Sequence, residues 1–466
     1  MIFMIEVWER FGYYTVQGIL ALYFIRFLGF SDEMAYHTFG AFFALVYGMV
    51  AIGGYLGDHV LGTQRTLILG LLVLALGYLS LALVSKPYVF YALGLICVGN
   101  GLFKANPASL LSKCYDDQDP RLHGAFTLYY MAINLGSIAA LFIGPQLAKS
   151  YGYSYAFFTS FLGILLGLAQ YSYQHHHLTL IKTPTDTSPN RPWQWGLVIL
   201  GIGGATLLSS YLLQNVLMAK YLLTGITLIV LVFYALLMYR EQRLSCRRMG
   251  LALILMLEAI VFFTLYQQMP TSLNLFAVHN VLSSTIFGLS IDAQSFQALN
   301  PIWIITLSPL LAYGYSTLDR LGIIFPIPYK FALGMTCCGI SFTLLFGARF
   351  VHDPSGMVSV GWLVASYFFQ SLGELLVSAL GVAMVAELVP KHIGGFVMGM
   401  WFLTSSAAGF LGASVASYTA LPKTLTPGLD SLFLYTHVFL TIGLVTLGIA
   451  ACLWCLSPRL TRLLRF

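Results

Sequence analysis

The feature that most limits this 466-residue chain is a series of about fourteen apolar runs, each roughly the length of a bilayer-crossing helix. The first lies near 1–28 and the last near 432–457. A segment in hydrocarbon must satisfy its own backbone hydrogen bonds, and helices do this within one run. The sequence therefore predicts an all-α, multi-pass membrane protein. Charge content agrees: 9% of residues are Asp, Glu, Lys or Arg, against about 25% in a soluble globule. So few charges cannot coat a water-facing surface.

The basic residues orient the chain. With the N-terminus inside, fifteen of the 23 Lys and Arg fall in cytoplasmic loops, from Arg65 to Arg465, and six fall on the other side. That bias follows the positive-inside rule and puts both termini in the cytoplasm. The net charge of +6 is spread over short loops, so it predicts no nucleic-acid partner. Seven cysteines sit mostly in apolar runs, which argues against a disulfide framework or a zinc site. The His175–His177 triplet reads as part of a solvated loop rather than a metal site. Gly53-Gly54 lacks the spacing and strand context of a phosphate cradle. No nucleophile motif or appended soluble domain stands out, so an enzyme is not expected, and no cofactor is implied.

Two halves resemble each other. Met4-Ile-Glu6-Val-Trp-Glu9-Arg10-Phe11 lines up with Met256-Leu-Glu258-Ala-Ile-Val-Phe-Phe263, and Tyr14 falls opposite Tyr266. This suits parallel repeats of the kind found in secondary transporters. The expected organisation is an N-terminal six-helix bundle at 1–173, a linker with two extra spans at 174–248, and a C-terminal six-helix bundle at 249–466.

Charges inside the spans mark function. Glu6, Glu9, Arg10, Lys104, Glu258, Glu374 and Glu387 each cost roughly 2.5–3.5 kcal/mol near a helix centre, and such residues usually face the bundle interior or a wet cavity. Glu6, Glu9, Arg10, Tyr13, Tyr14 and Gln17 share one helical face at i, i+3, i+4, i+7, i+8 and i+11. Pairing of Glu6 with Arg10 would neutralise two of them but would not explain the tyrosines and the glutamine. Glu387 suits snorkelling toward Lys391. Lys104 lies in Gly99-Asn100-Gly101-Leu102-Phe103-Lys104-Ala105-Asn106-Pro107, and unlike arginine it can lose its proton. Burial penalises an ionised carboxylate and a nearby cation favours it, so a carboxylate here can alternate between paired and protonated. That is what coupling proton movement to a conformational change requires.

Three stretches carry a family resemblance. Glu6-x-x-Glu9-Arg10-Phe-x-Tyr-Tyr resembles the ExxER signature of the proton-dependent oligopeptide transporters, within the major facilitator superfamily. Gly53-Gly54-Tyr-Leu-Gly-Asp58-His-Val-Leu-Gly62 resembles the loop after the second span, and Phe126-Thr-Leu-Tyr-Tyr-Met-Ala-Ile-Asn134-Leu-Gly136-Ser137 is similar to the family's second signature. The resemblance implies a major facilitator fold with fourteen transmembrane helices. It implies a proton-coupled symporter that imports di- and tripeptides by alternating access, with protons as the only coupling agent. Glu6, Glu9 and Arg10 would take part in proton coupling, with Lys104 as their salt-bridge partner. Glu374 would hold the peptide's amino terminus, helped by Asn134 and Asn300. Lys104, with Tyr13, Tyr14 and Tyr47, would favour the carboxylate end and the peptide backbone. Trp401 and Ser405 would line a side-chain pocket or gate. Two positions depart from the family pattern: Gln17 stands where many members carry a basic residue, and Gln267 and Gln268 stand near a usual glutamate. The expected setting is a bacterial inner membrane, with peptides, protons and lipid as partners and a monomer as the unit. A carrier of another small solute on the same fold, such as nitrate, an amino acid or a peptide-like drug, is the competing reading.

Overall fold

The computed structural model describes every residue except 116–118, 120, 179–191, 283, 287–288, 324, 378–387, 423–424 and 465–466. Among the described residues, twelve helices are long and apolar enough to cross a membrane. Two more principal helices fall outside that set. Helix α1 (Ile2–Tyr23) carries Glu6, Glu9 and Arg10 in every long window. Helix α12 (Gly361–Val377) is described over 17 residues, and the stretch after it, with Glu387, lies outside the described residues.

The remaining helices follow in order. They are α2 (Asp32–Val60), α3 (Thr63–Leu83), α4 (Lys86–Ser112), α5 (Gly124–Ser150), α6 (Tyr153–Gln174), α7 (Pro192–Gln214) and α8 (Val216–Arg240). Then come α9 (Arg243–Tyr266), α10 (Ala293–Arg320), α11 (Ile327–Phe350), α13 (Gly394–Ser417) and α14 (Leu429–Arg462). The expectation of an all-helical chain holds but for one small hairpin, β1 (Ser284–Ile286) against β2 (Leu289–Ile291), antiparallel.

The chain forms two compact units. One comprises Met1–Phe30 with Thr38–Lys220, the other Ser31–His37 with Tyr221–Phe466. Of the two helices in the 174–248 region, α7 lies in the first unit, where it packs on α4, and nearly all of α8 lies in the second. There the Tyr234 hydroxyl donates to the Met249 carbonyl at 2.8 Å.

In the first unit α1 packs on α5 and α6, and α3 on α4 and α6. Glycine makes these crossings close. A Cβ on Gly136 would run into the Val7 carbonyl, which is how α5 reaches the backbone of α1. A Cβ on Gly53 would strike the Gly101 carbonyl, so α2 and α4 touch backbone to backbone. Close approach of this kind is the usual role of small residues between membrane helices. By contrast, Gly196, Gly201, Gly203 and Gly204 of α7 and Gly225 of α8 face open space. Helix α4 is interrupted at Ala105, just before Asn106 and Pro107, and the turn restarts as Asn106–Ser112. Proline cannot donate to the ladder at that point. The break sits directly after Lys104.

In the second unit α11 packs on α12 and α14, α9 on α13, and α10 on α12. A polar knot ties its loops. The Asn280 side-chain amide donates to the Gly356 carbonyl at 2.9 Å and the Gly428 carbonyl at 2.7 Å, while the Ser431 hydroxyl donates to Asn280 Oδ1 at 2.8 Å. The Asp353 carboxylate accepts from the Ser355 and Met357 backbone N–H groups and the Ser355 hydroxyl.

Candidate functional site

In the first unit the charged stripe of α1 points inward. Glu6 and Glu9 are fully buried, and Arg10, Tyr13 and Gln17 are nearly so; Tyr14 is half-buried. Arg10 Nε lies 2.8 Å from Glu6 Oε1 and 2.8 Å from Glu9 Oε2. One guanidinium thus faces two carboxylates on its own helix. The pairing of Glu6 with Arg10 follows from their i, i+4 spacing. Glu9 comes to the same Nε, whose one hydrogen goes to Glu6, so its contact with Arg10 is an ion pair without a hydrogen bond. From α5, Tyr129 turns its hydroxyl toward Glu6.

Lys104 occupies a different setting. Its Nζ lies 3.8 Å from the centre of the Tyr47 ring and 4.3 Å from that of Tyr13, and it makes no hydrogen bond. The salt bridge expected from Lys104 to the ExxER carboxylates is absent among the described contacts. Arg10 already holds both carboxylates, and two ring faces supply the amine with a cation site worth about 0.5–2 kcal/mol per ring. Tyr13 therefore serves both charges: Arg10 lies 6.0 Å from the same ring, and Tyr14 meets Tyr13 edge-on at 5.4 Å.

Asn134 is buried on α5, but its side-chain amide donates to its own helix, at the Tyr130 carbonyl, 2.9 Å away. It is not drawn into the charged stripe by any contact described here.

In the second unit the candidates split into two places. Asn300 of α10 donates to Glu374 Oε2 of α12 at 2.7 Å and to the Ser371 hydroxyl at 3.1 Å. Ser371 returns a bond to the Asn300 carbonyl at 3.3 Å. This fixes one carboxylate oxygen and leaves the other for a further donor. Trp401 and Ser405 are buried one turn apart on α13, with the Trp401 indole edge-on to Phe263 at 5.9 Å. Gln268 is saturated: it donates to the Thr264 and Gly412 carbonyls and accepts from the Ser272 hydroxyl. Neither polar atom of buried Gln267 makes a hydrogen bond.

Residue patterns alone did not single out Tyr129 or Ser371. Ser371 had a signal available, one helical turn before Glu374. Tyr129 lay inside a quoted motif without a role. Among the described residues no three His, Cys, Asp or Glu side chains gather as a metal site.

The model of the POT family matches residues 64–430. The chain belongs to the POT family. The POT-family protein is 48% identical to the dipeptide and tripeptide permease B of Salmonella typhimurium (strain LT2), over all of this chain and 95% of that one. It is similar at 34% identity and a TM-score of 0.87 to a solved bacterial homologue of the human drug peptide transporters PepT1 and PepT2, covering 99% of this chain and 98% of that one. Tetrameric PepTSo2 matches with 35% identity and a TM-score of 0.87 over the same shares. The POT-family protein therefore has the major facilitator fold in its form with extra helices. It is a multi-pass membrane transporter rather than an enzyme.

Proposed function

We propose that this POT-family protein is a proton-coupled symporter that imports di- and tripeptides across a bacterial inner membrane by alternating access. The observation that carries the reading is the division of charge in the first unit. Two buried carboxylates share Arg10, while the Lys104 amine, directly before a helix break, lies against two tyrosine rings and makes no hydrogen bond. Such an arrangement can pass between two states: Lys104 in its cage with Arg10 on both acids, or Lys104 drawn to Glu9 when the pairing changes. Protonation of Glu9 selects between them. Glu6, Glu9, Arg10 and Lys104 thus act in coupling.

The peptide is zwitterionic and needs an anion for its ammonium and a cation for its carboxylate. Glu374, oriented by Asn300, takes the ammonium through its second oxygen. Lys104 takes the carboxylate, with Tyr13, Tyr14 and Tyr47 on the peptide backbone and Asn134 as a further amide contact. Trp401 and Ser405 line the side-chain pocket. Apolar and aromatic walls read shape only loosely, which suits many side chains. Segments 1–173 and 249–466 act as the two bundles, with 174–248 as linker, both termini in the cytoplasm, and one chain as the transporting unit.

The test is uptake of labelled dialanine by proteoliposomes carrying the purified chain. Accumulation is expected with an inward proton gradient and is expected to disappear when the gradient is collapsed. Accumulation that ignores the gradient removes the coupling. Lack of competition by unlabelled dipeptides removes the peptide and favours another solute.

A further inference from the structure

One hydroxyl beside Glu374 has a bonding pattern that allows the neighbouring amide to point only one way. Ser371 of α12 is fully buried and meets Asn300 of α10 twice. Its hydroxyl donates to the Asn300 carbonyl at 3.3 Å, and its oxygen accepts from Asn300 Nδ2 at 3.1 Å. A hydroxyl has one hydrogen. With that hydrogen on the backbone carbonyl, Ser371 offers only lone pairs to the Asn300 side chain. The amide must therefore turn its NH2 group, not its oxygen, toward α12. The other N–H goes to Glu374 Oε2 at 2.7 Å. Both hydrogens of Nδ2 are then engaged by α12, one turn apart, and the amide is fixed from two points.

The pairing of the helices does not depend on this hydroxyl. One turn further along α10, Trp303 Nε1 donates to the Val364 carbonyl of α12 at 3.2 Å. Gly373 packs α12 closely on α11: a Cβ there would lie 2.6 Å from Cys338 Sγ and 2.8 Å from the Gly334 carbonyl. An indole and a bare backbone thus hold α12 in place, and what Ser371 adds is the direction of one amide.

We propose that Ser371 is a positioning residue for the peptide's ammonium group. It sets the Asn300 amide, and the amide sets which oxygen of Glu374 is left for the substrate. The inference rests on the symport reading above, in which Glu374 takes the ammonium. Glu374 is half-buried, and among the described residues no hydrogen bond reaches its Oε1. Without the Ser371 hydroxyl, Asn300 keeps one anchor instead of two. Its amide is free to rotate, and the carboxylate that leans on it is no longer fixed before the peptide arrives. Ordering of both groups then falls on the binding step and lowers affinity. Only substrates with an ammonium feel that loss.

The test is direct binding of dialanine and of N-acetyl-dialanine to purified Ser371→Ala, with rates of gradient-driven dialanine uptake beside it. Dialanine is expected to bind roughly three- to tenfold more weakly, with KM raised to match and the maximal rate unchanged. N-acetyl-dialanine has no ammonium and is expected to bind as it does to the unaltered protein. Ser371→Cys keeps a side chain in place but offers a weak acceptor. The same loss is expected there, and it carries the test should Ser371→Ala fail to fold. In a Glu374→Gln background, Ser371→Ala is expected to add little, because the two residues act along one path. Equal loss for both peptides, unchanged dialanine affinity in a folded variant, or full additivity with Glu374→Gln overturns the role of Ser371 and leaves the symport reading intact. An unaltered protein that does not favour dialanine over its acetylated form overturns the placing of the ammonium on Glu374, and the role of Ser371 with it.

Discussion

The opening helices of the two halves start from similar sequences and end in opposite electrostatic settings. In α1, Glu6 has Arg10 one turn on, Glu9 beside it and Tyr13 beyond. In α9, Glu258 occupies the matching place, but Val261, Phe262 and Leu265 stand where Glu9, Arg10 and Tyr13 would be. Glu258 is buried, and neither of its oxygens makes a hydrogen bond. One half has gathered compensated charge on a single face, and the other has kept one acid and filled its surroundings with hydrocarbon. The second half's polar work falls instead to Glu374 and Asn300, on helices later in the chain. A repeat can thus preserve helix geometry while moving its chemistry to another helix.

The comparison breaks most sharply at Arg10. Arg10→Met leaves two fully buried carboxylates without their cation, at an expected cost of about 3–5 kcal/mol. Thermal unfolding should fall steeply and gradient-driven uptake should vanish. Glu258→Gln in the other half should change both far less; an equal loss would put a charge network around Glu258 after all. Next comes Lys104→Ala, which should abolish gradient-driven uptake while peptide counterflow persists weakly. Full gradient-driven activity would take Lys104 out of the mechanism. Glu374→Gln should have a smaller effect, weakening binding of peptides with a free amino terminus by about tenfold, or roughly 1.4 kcal/mol. Acetylated peptides should not share that loss; competition assays across such a pair decide it.

The smallest effect lies in a loop outside the membrane. The Ser355 hydroxyl and the Met357 N–H hold the Asp353 carboxyl below the usual carboxylate range. A depressed value in the folded chain means that this support is present above the unfolded value of about 3.9 and is lost as pH falls through the folded one. Protection of the amides in the Asp353–Met357 turn, relative to their intrinsic exchange rates, should therefore hold at neutral pH and fall only in strong acid. Loss of protection already at mildly acidic pH would contradict this.

Hydropathy made the spans legible, including α1, because three charges in an otherwise apolar run still leave an inward stripe. Spacing alone announced the Glu6–Arg10 pair. Glu374 was legible as an acid with no business in lipid, and Asn300 entered only through family resemblance. What spacing could not give was partner choice between helices. Nothing in a one-dimensional pattern says that Lys104 meets the faces of Tyr13 and Tyr47 rather than an acid, since a tyrosine in an apolar run reads the same whether it offers its ring or its hydroxyl. The seat of the Tyr78 ring was invisible for the same reason; only the bare backbone of Gly12 lets it lie against α1. The hairpin at Ser284–Ile291 was missed because three-residue strands leave no periodicity to read.

The backbone contact between Gly53 and Gly101 also sets where this protein tolerates engineering. Replacing glycine with alanine in a helix stiffens the unfolded chain and commonly raises stability by about 0.4–1 kcal/mol. At that crossing the added methyl has nowhere to go, so the gain turns into a clash. On α7 the same exchange at Gly196, Gly201, Gly203 or Gly204 meets only empty space. A hardened version for the laboratory would therefore start from α7, leaving the α2–α4 crossing untouched.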